Sequence, residues 1–147
     1  MYHAHWGLER TPFAAGIDPT AYYEGAPQAE ALARLRFFVH ERRHAGILLG
    51  DRGAGKSLLL TMFARERRAA GQTPIELNLA GLSTGELLWQ LASQLAIGPR
   101  AGEDAPRLYR RIADWVAARP VDEPPIVLLA DDADQAGPDA LAQLVRL

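Results

Sequence analysis

The sequence predicts an α/β fold, a three-layer αβα sandwich in which helices cover both faces of a parallel sheet. Three observations predict it. Three short apolar runs, Ile47-Leu48-Leu49, Ile75-Glu76-Leu77-Asn78-Leu79 and Ile126-Val127-Leu128-Leu129-Ala130, have the length and composition of strands. Segments with helical spacing of apolar residues separate them, and such alternation is the mark of a parallel sheet. A glycine-rich turn, Gly50 to Ser57, joins the first run to the helix behind it.

Residues 1–26 are rich in aromatics, glycine and proline without a sustained period, and read as an ordered but irregular arm; residues 27–147 read as the domain. From Pro27 to about Arg43, Ala31, Leu32, Leu35, Phe38 and Val39 recur at helical spacing, and Pro27 suits a first turn because its missing N–H costs nothing there. The run Ile47-Leu48-Leu49 follows as a buried strand. Lys56 to about Ala70 is the next helix, with Leu59, Leu60, Phe63 and Ala64 on one face and Gly71 as its stop. After the strand at residues 75–79, Ser83 and Glu86 form a capping box ahead of Leu87, Leu88, Leu91 and Leu95. Asp104 caps a helix that turns Leu108, Ile112, Trp115 and Val116 inward, and Trp89 also reads as core. A proline-rich break at residues 120–125 leads into the third strand, and a last helix starts behind Gly137-Pro138. Three strands make a thin sheet, and the sequence stops barely three turns into that helix. The expectation is therefore the N-terminal part of a larger domain, incomplete at its C-terminus.

Composition narrows the classes. With 48% hydrophobic and 23% charged residues among 147, the chain is ordinary for a soluble globular protein. A net charge of -2 gives no whole-surface attraction to nucleic acid. No cysteine is present, so disulfides, thiolate metal sites and a cysteine nucleophile are excluded. No apolar run approaches a membrane span and the N-terminus lacks a signal-peptide pattern, which makes a cytoplasmic location the default.

Gly50-Asp51-Arg52-Gly53-Ala54-Gly55-Lys56-Ser57 matches G-x-x-x-x-G-K-[ST] at every specified position. The glycines allow backbone angles that other residues avoid, so successive N–H groups can turn inward around phosphate oxygens. Lys56 would reach the β- and γ-phosphates, and the Ser57 hydroxyl would be a ligand of Mg²⁺. The positive end of the following helix adds to the anion field. The nucleotide-binding set is thus Gly50, Asp51, Arg52, Gly53, Ala54, Gly55, Lys56, Ser57 and Leu58, with ATP and Mg²⁺ as the implied ligands.

Such a loop needs a carboxylate at the end of a neighbouring strand to hold the metal through water. Asp131 follows four apolar residues directly and is the preferred metal partner with Ser57; Asp132 would then polarise the attacking water, acting in catalysis alongside Lys56. A register shifted by one residue, with Asp134 in the same acidic run, would make Asp132 the metal partner. Aspartate is one methylene shorter than glutamate, so its carboxylate would reach water less directly.

Taken together, these blocks resemble the ExeA/GspA-type AAA+ ATPases of bacterial general secretion, relatives of transposition-helper ATPases. Met1-Tyr2, Trp6-Gly7-Leu8 and Pro12-Phe13 look like that family's opening; Asp18-Pro19 to Tyr22-Tyr23 and Gln28-Ala29-Glu30-Ala31-Leu32 look like its next segment; the phosphate loop and the Asp131-Asp132 strand end complete the likeness. The resemblance implies a P-loop NTPase core of the AAA+ kind, with sensor 1 and the helical lid beyond Leu147. It also implies a place for Tyr22 and Tyr23 near the adenine, homo-oligomers at full length, and a membrane-complex partner. Preference for ATP follows from the same resemblance, and no guanine-specific N/T-K-x-D occurs. Asp132 stands where the family has glutamate, a departure that bears on the rate of hydrolysis more than on binding.

The leading expectation is a Mg²⁺-dependent ATPase that drives conformational change in an assembly. The alternative is a nucleotide-gated DNA-binding adaptor with little turnover, drawing on Asp132 and on Arg65, Arg67 and Arg68, which otherwise simply complement a helix dipole. His40-Glu41-Arg42-Arg43-His44 matches the zinc-protease pattern H-E-x-x-H, but it falls at a helix end beside two arginines and has no third ligand; His3 and His5 read as a mobile terminus.

Overall fold

The structure is a computed structural model, and it describes residues 5–7 and 16–147. The opening residues Met1-Tyr2, Leu8 and Pro12-Phe13, and His3, lie outside the described residues.

A short 3₁₀ turn, Pro19–Ala21, is set by the Asp18 carboxylate, which accepts from the Thr20 N–H at 2.9 Å. Helix α1 spans Ala26–His40 with Pro27 in its first turn, and α2 spans Lys56–Ala69. Strand β1 (Ile75–Asn78) is followed by α3 (Thr84–Gln94) and α4 (Ala105–Ala117). Strand β2 (Leu128–Asp131), a 3₁₀ turn (Ala133–Gln135) and α5 (Pro138–Val145) complete the order.

The helix signals of the sequence act where they stand. Ser83 and Glu86 form the reciprocal capping box, and Asp104 caps α4 by accepting from the Arg107 N–H at 2.9 Å. At the end of α2, Gly71 takes φ +78° while the N–H groups of Gly71 and Gln72 return to the carbonyls of Arg68 and Arg67, which is a Schellman stop. The ends of α1 and α3 make the same pair of bonds, with Arg42 (φ +49°) and Ala96 (φ +56°) in the position where glycine is usual.

β1 and β2 pair in parallel, with Ile75 opposite Leu128 and Asn78 opposite Asp131. Alternation along β2 sends its side chains to two cores. Val127 and Leu129 join Leu32 of α1 and Leu59, Phe63 and Ala64 of α2. On the other face, Ile126, Leu128 and Ala130 pack with Ile75, Leu77 and Leu79 against buried residues of α3 and α4 such as Leu87, Leu88, Leu108 and Ile112. Each face of the small sheet therefore has its own apolar cluster and its own helices, as burial of a parallel pair requires.

Three expectations are corrected. The run Ile47-Leu48-Leu49 forms no strand: residues 45–50 belong to no helix or ladder, and Ile47 and Leu49 are 86% and 84% exposed. Leu48 alone packs, against the cluster of α1 and α2. The alternation is strand-like, but no neighbouring strand pairs with this segment among the described residues, so the sheet has two strands rather than three. The helix expected to reach Arg43 stops at His40, because Arg42 turns left-handed. Trp89 is 37% exposed and Val116 38%; Leu108 and Ile112, each 1% exposed, carry the inward face of α4.

Candidate phosphate-loop site

The loop of residues 50–55 enters α2 through two left-handed glycines, Gly53 at φ +83° and Gly55 at φ +84°. A side chain at either position would force a conformation that L-residues pay for with about 1–2 kcal/mol. Gly55 is the N-cap residue, and no side chain caps α2. The N–H groups of its first turn thus have neither an intrahelical acceptor nor a capping oxygen, which leaves them for an anion. Gly46, just ahead, is required for a different reason: a Cβ there would meet the Phe38 ring at 2.9 Å.

Lys56, the first residue of α2, folds back over the loop and donates from Nζ to the carbonyl oxygens of Gly50 (2.9 Å) and Asp51 (3.0 Å). Its ammonium thereby bridges the two sides of the turn. Asp51, Arg52, Gly53 and Ala54 are exposed, whereas Lys56, Ser57 and Leu58 are half-buried. The Ser57 carbonyl accepts from Thr61 Oγ1 at 2.9 Å, and its own hydroxyl makes no hydrogen bond among the described residues.

Asp131 and Asp132 are both half-buried at the end of β2. One Asp131 oxygen, Oδ1, accepts from the Asp132 N–H at 3.0 Å, while the other carries no hydrogen bond among the described residues. Asp132 sits at φ +52°, a left-handed residue that turns the chain out of the strand. Its Oδ2 accepts from Asn78 Nδ2 at 2.8 Å, and Asn78 Oδ1 accepts in turn from the Ala80 N–H at 2.9 Å. Asn78 was not among the residues singled out in the sequence. A lone amide at the end of an apolar strand was the available signal, but its partner stands 54 residues away.

The end of α2 remote from the loop and the residues that lead into β2 share one cleft, lined by Arg67, Gln72 and Pro125. The end of α2 remote from the loop therefore lies beside the entry to β2, and Leu59 and Phe63 of the same helix share the core of Val127 and Leu129. Tyr22 packs against the cluster of α1 and α2, with its hydroxyl buried and without a partner; burial, and secondarily the charge of Glu24, hold that hydroxyl above its ordinary pKa. Tyr23 is 85% exposed.

Other charged residues are engaged elsewhere. Arg67 and Arg36 both hold Glu66, Arg68 pairs with Glu76, and Arg111 holds Glu103 at 2.7 Å. Because α1 ends at His40, His40 and His44 do not share a helical face, and no cluster of three metal-ligating His, Cys, Asp or Glu side chains occurs among the described residues. No helix among them is long and apolar enough to cross a membrane.

A family model described as an AAA domain matches residues 39–147, most of the chain and all of the loop and strand-end residues. The chain belongs to that family, whose domain is of the P-loop kind and is associated with nucleotide binding and hydrolysis. No curated protein and no solved structure matches the chain significantly.

Proposed function

We propose that this AAA-domain protein binds Mg-ATP at the loop from Gly50 to Leu58, hydrolyses it slowly, and passes the change of nucleotide state to a larger assembly. The carrying observation is the loop itself. Two left-handed glycines and an uncapped helix start present backbone donors, with the Lys56 ammonium held across them at 2.9 and 3.0 Å from two carbonyls. On this reading Lys56 exchanges those carbonyls for β- and γ-phosphate oxygens.

The donor set suits magnesium, since the Ser57 hydroxyl and the free oxygen of Asp131 are hard oxygen ligands. Mg²⁺ usually takes only one or two carboxylates and completes its shell with water and phosphate, so a three-carboxylate cage is not needed. When bound, the ion neutralises charge on the phosphate oxygens. Asp132 is the residue that orients and polarises water, and its hydrogen bond to Asn78 restrains the carboxylate, which favours slow turnover. Tyr22 and Tyr23 near the adenine, the preference for ATP and a role of the ExeA kind in a secretion assembly all rest on the sequence resemblance.

The ATPase reading is preferred to a DNA-binding adaptor because, of the arginines at that helix end, Arg68 is paired with Glu76 and Arg67 is drawn inward to Glu66, which leaves Arg65 exposed without an ion pair among the described residues. A fluorescent ATP analogue with Mg²⁺ should bind saturably at low micromolar concentration and lose that binding in Lys56→Ala. Equal signals from the two proteins would remove the proposal. Turnover by this chain should stay below about 1 s⁻¹, the low end for enzymes.

A further inference from the structure

A second site lies at the other pole of the molecule. The ends of α1 and α2 meet the residues that lead into β2 at a cleft of about 250 Å³, lined by Arg36, His40, Arg42, Arg67, Gln72 and Pro125. At 1.5 Å per helical residue, Arg67 stands about 16 Å along α2 from Lys56, so the cleft is separate from the phosphate loop.

Its chemistry is one-sided. Among the described residues, Glu66 is the one carboxylate bonded to the arginines of the cleft, and it is shared by Arg36 and Arg67. Arg42 has no ion-pair partner among the described residues, so three guanidinium groups face a single carboxylate. Two polar atoms are also left unanswered: Arg67 Nε, a donor, and Gln72 Oε1, an acceptor, are buried without hydrogen-bond partners. The Arg67 guanidinium is held in place by its stacking 5.2 Å from the Phe63 ring centroid. Buried polar groups in folded proteins are otherwise nearly always satisfied, and exceptions point to a missing water, ion or ligand.

A protonated phosphate matches this arrangement. Its oxygens accept from Arg67 and Arg42, and its hydroxyl donates to Gln72; a halide or a carboxylate supplies acceptors only. The volume is below the range of roughly 300–1,000 Å³ found for sites that enclose drug-sized ligands, so a single phosphate group fits and a whole nucleotide does not.

We propose that this cleft is a second anion site, which takes one phosphate group, inorganic or a monoester, at the pole of the sheet opposite the glycine loop. A monoester carries the hydroxyl that answers Gln72 in its singly ionised form, which predominates below its second pKa of about 6; a phosphodiester lacks it at every pH, so duplex DNA should compete poorly.

The test uses the full chain carrying Lys56→Ala, which silences the loop, in ¹H–¹⁵N spectra recorded at constant ionic strength and at a pH of about 5.5, where inorganic phosphate and a monoester both carry a P–OH. Titration with inorganic phosphate, or with glycerol phosphate, should shift the Arg67 Nε–H and Gln72 side-chain signals saturably at millimolar concentration. Arg42→Gly and Arg42→Asn both suit a left-handed turn, and each should weaken binding about tenfold, the equivalent of one charge-assisted hydrogen bond at 1.4 kcal/mol per decade. Their melting temperatures should be unchanged or higher, which separates lost binding from lost folding. The proposal is overturned if phosphate gives no saturable shift or sodium chloride gives the same shift. It is equally overturned if both Arg42 variants bind as the parent does, or if a short duplex displaces phosphate at lower concentration than glycerol phosphate does.

Discussion

Three helices of this protein end in the same hydrogen-bonded geometry with three different residues in the left-handed position, which sets up a reciprocal experiment. Gly71 occupies it at φ +78°, Ala96 at φ +56° and Arg42 at φ +49°. For an L-residue the left-handed region costs about 1–2 kcal/mol. Glycine avoids that strain but gives up roughly 0.4–1 kcal/mol through the greater freedom of its unfolded chain. The difference favours glycine by about 1 kcal/mol. Ala96→Gly should therefore stabilise the protein by about that amount, and Gly71→Ala should destabilise it similarly. No atom lies within 4 Å of a Cβ built at Gly71, so strain rather than collision carries the effect. For a domain near this size 1 kcal/mol corresponds to roughly 2–4 °C in Tm, or about 0.5 M in the urea midpoint. Thermal and urea unfolding of the two variants beside the parent measures both. A loss of stability in Ala96→Gly, or no change in Gly71→Ala, would refute the reasoning.

Other outcomes follow from the carboxylates. Asp131→Asn should leave nucleotide binding without Mg²⁺ unchanged and reduce the gain on adding Mg²⁺ by about tenfold, the effect of one charge-assisted contact; titration with and without the ion decides it. Asn78→Ala frees the Asp132 carboxylate from a 2.8 Å hydrogen bond at an exposed position. It should raise turnover by roughly two- to fivefold, the worth of about 0.5–1 kcal/mol, at unchanged nucleotide affinity in steady-state assays. Glu66 has its pKa held down, first by the Arg36 hydrogen bond and then by Arg67 against opposing burial. Its contribution is complete above the unfolded glutamate value of about 4.3 and is lost as pH falls through the lower folded value. Urea midpoints from pH 6 to pH 2.5 should show that acid loss in the parent and a shallower one in Glu66→Gln.

The local features of this protein were legible in its sequence because they are decided within four residues. The Ser83–Glu86 box, the Asp104 cap, Pro27 in a first turn, the Gly71 stop and the left-handed glycines of the phosphate loop each depend on near neighbours. The strands at residues 75–78 and 128–131 were also legible, within two residues at their ends, from apolar runs long enough to reach both cores. What needed the tertiary structure was everything decided by a distant partner. Ile47-Leu48-Leu49 has a strand's composition, yet a strand exists only where another strand accepts its backbone bonds, and none pairs with it among the described residues. The Asn78–Asp132 bond and the arginine cleft join residues that only the parallel register and the packing of α2 against β2 bring together. The sequence determined the phosphate loop because its chemistry is written in eight consecutive residues; chain folding decided what surrounds it, because side-chain contacts across the sheet leave no local signature.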